Sequence, residues 1–125
     1  MMNKSEIVAA LDDLADAFNA HDIDKIMTYF DNNCSLDMPR GPEPHGSRYA
    51  GLDGVRRGLL TRFETTPDVH YGEIKHFVDD NTGISKWLLT GTTLSGNKIE
   101  VRGCDFYTFR DGKIARKDSY WKIVE

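Results

Sequence analysis

A chain of 125 residues, 39% hydrophobic and 29% charged, has the size and make-up of one globular domain with a single core, here expected over residues 1–125. Its formal net charge of −4, with no basic run longer than Arg56-Arg57, argues against nucleic acid or an anionic membrane surface as the main partner. No stretch approaches the roughly 18 apolar residues of a membrane span.

The N-terminus turns polar and helical at once and lacks a signal-peptide core, which makes the cytoplasm the expected location. Ser5 reads as an N-cap, and Ile7, Leu11, Leu14 and Phe18 recur at helical spacing through about His21. Asp12, Asp13 and Asp16 lie off that stripe and read as a solvated face. Asp22 caps a second, short helix carrying Ile23, Ile26, Met27 and Phe30, which Asp31-Asn32-Asn33 ends. Cys34 to Met38 reads as a strand. Pro39 to Gly46 holds three of the four prolines and must turn, because proline fits neither a central strand nor a helix interior. A third helix follows, capped by Asp53, burying Val55, Leu59, Leu60 and Phe63 and stopping before Pro67.

Beyond Pro67 the chain changes character. Residues 69–79, 84–94, 98–109 and 113–124 read as four long strands joined by Asp80-Asn81-Thr82-Gly83, Ser95-Gly96-Asn97 and Arg110-Asp111-Gly112. Helices first and an antiparallel meander afterwards specify an α+β fold, with helices packed on one face of a curved sheet.

The two cysteines, Cys34 and Cys104, form no Cys-x-x-Cys pair and read as reduced, partly buried thiols. Among the four histidines no metal-binding spacing occurs; His70 and His76 stand about 20 Å apart along a strand at ~3.3 Å per residue. No metal site is expected. Phosphate-loop and Gly-x-Ser-x-Gly patterns do not occur, which leaves nucleotide and serine-hydrolase readings without support.

The carboxylates carry more. Ile99, Val101, Gly103, Asp105, Tyr107 and Phe109 share one strand phase, so Asp105 stands where the alternation calls for an apolar side chain. Such a carboxyl either makes an ion pair, lies at a sheet edge, or serves a purpose. Asp37 ends a strand just before the Pro-rich loop, which suits the rim of a cavity and equally suits an Asp that bonds the following turn. His45 in that loop is a candidate second base. Arg48 and Arg102 are candidates to bind a substrate carboxylate or to pair with Asp105, against a solvated surface role. Asp118 is in opposite phase to Trp121 and therefore faces out if Trp121 faces in.

The sequence resembles the ketosteroid isomerase and SnoaL-like polyketide cyclase branch of the superfamily sharing the nuclear transport factor fold. The resemblance covers nearly the whole chain. It rests on residues 18–24 at the helix junction, on Asp37 followed by Gly41-Pro42-Glu43-Pro44, and on 104–109 followed by 112–114 and 119–121. It implies a cone: three N-terminal helices in the concave face of a strongly curved, mainly antiparallel sheet. It further implies that Asp37 is a general base acting beside a carbonyl. Asp105 would be a neutral carboxyl donating to an enolate oxygen, a role for which ketosteroid isomerase is the standard worked case. Phe18, Tyr107 and Trp121 would line the cavity. The tyrosine that completes the isomerase oxyanion hole falls at Leu14, and two supporting tyrosines at Phe30 and near Leu59. Loss of one such donor costs ~10²–10³ in rate, so another hydroxyl, from Tyr29, Tyr49 or Tyr71, would have to serve.

The expected activity is cofactor-free acid–base chemistry (isomerisation, cyclisation or dehydration) on a small apolar carbonyl or hydroxylated compound, in a chain that forms a homodimer through its sheet. Two rivals share the fold. One is a pocket that binds without reacting. The other is an interaction domain using the sheet's outer face, on which Thr90, Thr92 and Trp87 are expected.

Overall fold

The computed structural model describes residues 2–125. Three helices, α1 (Lys4–Asn19), α2 (Ile23–Met27) and α3 (Gly51–Thr65), accompany six strands. The strands are β1 (Phe30–Asp37), β2 (Arg48–Ala50), β3 (His70–Asp79), β4 (Thr82–Thr92), β5 (Lys98–Arg110) and β6 (Lys113–Trp121). They form one sheet in the order β2-β1-β6-β5-β4-β3. Only β1 and β6 run parallel; the other neighbours are antiparallel.

Local chemistry sets the boundaries. Asn3, rather than Ser5, caps α1: its side chain accepts from the Glu6 N–H while Glu6 bonds back to Asn3, a reciprocal capping box. Asp22 caps α2 by accepting from the Lys25 N–H. The third helix begins two residues before Asp53, at Gly51, whose φ of +77° swings the chain out of β2 without a capping side chain. Strand β1 begins at Phe30, ahead of the acidic-amide triplet expected to be a break. Asp111 and Gly112 both take positive φ, 52° and 80°, as a tight hairpin requires.

Curvature comes from irregularities in the ladders, between Gly72 and Lys75, between Thr108 and Phe109, and between Phe30 and Ser35. The bent sheet wraps α1, which packs on β3, and α3, which packs on β1. Ile7, Leu11, Leu14, Ala17, Phe18, Ile26, Leu36, Val55, Leu59, Tyr107, Phe109 and Ile114 form the main core. A smaller cluster of Val69, Trp87, Leu89 and Val101 closes the other end. Trp87 therefore faces inward, 4% exposed, and not outward as expected. The odd-numbered residues of β4 point to the helices, and Thr90 and Thr92 are in the opposite phase.

Both cysteines are free, and burial pushes their thiols up in pKa. Among the described residues no helix is long and apolar enough to cross a membrane.

Candidate functional site

Asp105 lies at the middle of β5, its Cα level with Ser85 on β4 and Ser119 on β6. Its side chain is inside the fold, 4% exposed, beside Lys117 at 5%. Two charges so deep in apolar surroundings persist only as a pair with their remaining polar atoms satisfied. The structure meets that condition. Lys117 Nζ donates to Asp105 Oδ1 at 2.9 Å and to Ser119 Oγ at 2.8 Å. The Ser119 hydroxyl donates to the same Oδ1 at 2.5 Å, and the Trp87 indole N–H donates to Oδ2 at 2.9 Å.

All three partners of the carboxyl donate, so Asp105 accepts throughout. The resemblance implies a donating carboxyl at Asp105; in the structure its partners include the Lys117 ammonium. Lys117 has three N–H groups and commits two. Its ammonium also lies 5.5 Å from the Phe18 ring centroid and 5.8 Å from that of Tyr107.

The space around this network has two lobes. Leu11, Leu14, Phe18, Ser85 and Tyr107 are among the residues lining the first, and Met38, Pro39, Leu59, Arg62, Ser119 and Trp121 among those lining the second. Tyr71, Trp87, Asp105 and Lys117 line both. Each lobe has a cavity volume of only about 20 Å³, room for about one water. Outside the second lobe, across Pro39 and Trp121, lies a groove of about 560 Å³ floored by Ile99, Val101 and Ile123 and edged by Arg40, Lys98, Glu100 and Lys122. That volume is in the range of small-molecule sites, about 300–1,000 Å³.

Asp37 is elsewhere. It lines neither lobe and is held by Arg48, whose Nε donates to Oδ1 at 2.7 Å and whose Nη2 donates to Oδ2 at 2.9 Å. The Arg48 bonds hold its carboxyl below the usual range against the opposing effect of burial. Asp37 pairs in register with Asp118 of β6, on the face away from the helices. Burial first, and Asp37 among other causes, pushes Asp118 up. The two predicted carboxylates therefore do not meet, because strand alternation sends Leu36 and Met38 toward the helices and Asp37 between them to the opposite face of the sheet, where it is nonetheless buried, 1% exposed. His45 is exposed in the loop and lines neither lobe.

Four residues outside the sequence-based set belong to the interior: Lys117, Ser119, Arg62 and Ser85. The Ser85 hydroxyl is 2.9 Å from His76 Nδ1. His76 Nε2 lies 3.0 Å from Asp12 Oδ1, out of line for a hydrogen bond. The hydrogen-bonded link to the first lobe is therefore the Ser85–His76 contact alone. Tyr71 and Tyr107 are pushed up in pKa, by burial first and by the Asp105 charge next; both phenols are therefore neutral O–H groups. Among the described residues no group of three or more His, Cys, Asp or Glu stands close enough to hold a metal ion.

The sequence profile of the SnoaL-like domain matches residues 11–117. No curated protein sequence matches the chain. Many solved structures share the fold. One is a proposed polyketide cyclase from Xanthomonas campestris pv. campestris, 18% identical, covering 97% of this chain and 93% of that one with a TM-score of 0.86. A proposed isomerase from Bacillus subtilis is 19% identical over 97% of this chain and 90% of that one, TM-score 0.80. An NTF2-like protein from Mesorhizobium loti is 22% identical over 98% and 96%, TM-score 0.78. At these identities the likeness establishes the fold.

Proposed function

The chain belongs to the SnoaL-like domain family, and from that premise we propose that its interior carries out cofactor-free acid–base chemistry on a small apolar carbonyl compound. The observation that supports this most is the uncommitted third N–H of Lys117, held in an apolar cavity by Asp105 and Ser119. A carbonyl oxygen placed there meets a fixed positive charge in surroundings that strengthen it, which is how preorganised donors stabilise a developing oxyanion. Lys117 then serves where the isomerases use the tyrosine replaced here by Leu14. Asp105 is the ion-pair partner of Lys117, and its Oδ2, which accepts from the Trp87 N–H, accepts the proton from the carbon next to the carbonyl. The electron pair of that C–H bond moves to the carbonyl oxygen, and return of the proton to a different carbon completes an isomerisation. The Ser85 hydroxyl at the cavity wall meets the His76 imidazole on β3. Phe18, Tyr107 and Trp121 supply the apolar walls.

A thermal-shift screen of small carbonyl compounds, followed by turnover on the hits, tests this reading. Turnover is predicted for wild type and for Asp37→Asn, and is lost in Asp105→Asn. Undiminished turnover in Asp105→Asn would overturn the proposal. The two nearly filled lobes favour a second reading, a pocket that binds without reacting; it predicts ligand stabilisation with no turnover in any variant.

For the assembly, the occupant proposed for the outer sheet face is a second copy of this chain. Phe77, Phe106 and Tyr120 are exposed there; Phe77 and Tyr120 line a groove of about 440 Å³ that also includes Ile84 and Cys104, and Phe106 packs edge-on against Tyr120. Light scattering of wild type is predicted to give a dimer mass and of Phe106→Glu a monomer mass; a monomeric wild type refutes it.

A further inference from the structure

The pocket's charge does not balance. Asp105 and Lys117 cancel each other, and the second lobe then holds one more cation, Arg62. This residue sits on α3 one turn beyond Leu59, with its guanidinium 4.3 Å from the Trp121 ring centroid. It is half-buried, and desolvation pulls its pKa down from the usual value. Among the described residues no carboxylate lies within ion-pair distance of it, whereas the buried ammonium of Lys117 is paired with Asp105. The Tyr71 hydroxyl beside it is itself a neutral O–H. Five N–H donors on a planar fork, backed by an aromatic face, are set to take two oxygens of an anion side by side.

The approach to Arg62 carries the same sign. The groove outside Trp121 is edged by Arg40, Lys98 and Lys122 against the single acid Glu100, on a chain whose net charge is −4. A local field of that kind draws anions to the mouth and leaves the rest of the surface repelling them. Pro39 and Trp121 line both the groove and the second lobe, so a ligand seated in the groove reaches Arg62 past the Trp121 edge.

Resting on the reading of the pocket as an acid–base site, we propose that its ligand is an organic anion, an apolar, preferably planar molecule bearing a carboxylate or an equivalent pair of acidic oxygens. The anionic end pairs with Arg62 while the apolar body lies along Trp121 and Pro39. The reacting carbonyl then points inward to Lys117. Arg62 is thereby a specificity-determining residue of the substrate site.

Benzoate and its neutral isostere benzamide test this by thermal shift and by tryptophan fluorescence at low salt. Benzoate is expected to raise Tm and perturb the fluorescence, and benzamide at equal concentration to do neither. Arg62→Gln should weaken benzoate about ten- to a hundredfold, the span of a charge-assisted hydrogen-bonded contact. Arg62→Lys, which keeps the charge and loses the fork, should retain part of the affinity and confirms that the site is still built. Equal shifts from benzoate and benzamide, benzoate affinity unchanged in Arg62→Gln, or no benzoate shift at any soluble concentration would each overturn the anion assignment. The first two of those outcomes leave the Lys117–Asp105 chemistry standing. Conversely, an Arg62-dependent benzoate site in a protein that turns over no carbonyl compound supports this assignment and removes the earlier one.

Discussion

Replacing Lys117 with Met isolates the feature on which the site depends. The substitution keeps an unbranched side chain between the Phe18 and Tyr107 rings and removes only the charge and its donors. Asp105, 4% exposed, is left with the Trp87 and Ser119 donors and no counter-charge. Breaking one partner of a buried ion pair costs about 3–5 kcal/mol, a large part of the ~5–15 kcal/mol that holds a domain of this size together. For a chain of this length that is a fall in Tm on the order of 10–20 °C. The companion change, Asp105→Asn, keeps an acceptor for the Trp87 N–H and abolishes the stranded charge. The double variant Asp105→Asn/Lys117→Met should return to within about 1–2 kcal/mol of wild type, because a neutral pair needs no desolvation of charge. Urea unfolding of the four proteins at pH 7, analysed as a double-mutant cycle, measures the coupling. If the two single effects simply add, Lys117 and Asp105 are not a coupled buried pair and the reasoning fails.

Asp37→Asn should leave turnover and ligand binding unchanged, since Asp37 faces Arg48 and lines neither lobe; a collapse of turnover would put the base back at Asp37. Asp37 also has a pH signature. Its folded pKa is depressed by Arg48, so its stabilising contribution is present above the unfolded value of ~3.9 and is lost as pH falls through the folded one. Acid unfolding of Asp37→Asn should therefore show a smaller loss of stability across that window than wild type. Asp118 has the opposite sign. Its folded pKa is raised, by burial first, so its contribution is present below the unfolded value and fades as pH rises through the folded one. Asp118→Asn should raise Tm at pH 7 and not at pH 3, and a lower Tm at pH 7 would refute that. Gly103→Ala should destabilise by about 1–3 kcal/mol through overpacking. A Cβ there would press on the Tyr120 carbonyl and stand 2.6 Å from the Trp87 ring, and displacing that ring loosens its bond to Asp105; unchanged stability and tryptophan fluorescence would contradict it.

Much of this architecture can be read from the chain. The apolar spacing of Ile7, Leu11, Leu14 and Phe18, the Asp-Gly turn and the alternation through Asp105 are local signals, and local signals fix helices, turns and strand faces. The wrong side for Asp37 has a local cause as well. Asp37 directly follows core Leu36 in β1, so plain alternation already sends it to the other face, and its place before the Pro-rich loop does not override that. Ser5 and Asp53 lose their capping roles to Asn3 and to a positive-φ Gly51, alternatives that only the chain's path decides. The hydrogen-bonding partners of Asp105 are only partly legible in the sequence. Counting straight back across the Asp111-Gly112 turn sets Asp118 opposite Asp105; the register shift between Thr108 and Phe109 moves Ser119 there instead, although Lys117 does share the phase of Ser119 and Trp121. Arg62 falls on the stripe of Val55 and Leu59, where a charge is as anomalous as Asp105 in its strand. The Ser85–His76 contact depends on the irregularity between Gly72 and Lys75, where Glu73 takes a φ of +49°, and no periodicity predicts it.

The central claim is that the Asp105–Lys117 pair moves a proton at a carbon beside a carbonyl. Proton NMR in D₂O of a carbonyl ligand from the thermal-shift screen reads this directly, as exchange of deuterium into the position next to the carbonyl. Exchange accelerated by wild type and Asp37→Asn, and absent with Asp105→Asn/Lys117→Met, is the predicted result. Exchange that persists in the folded double variant, or that vanishes in Asp37→Asn, would contradict it.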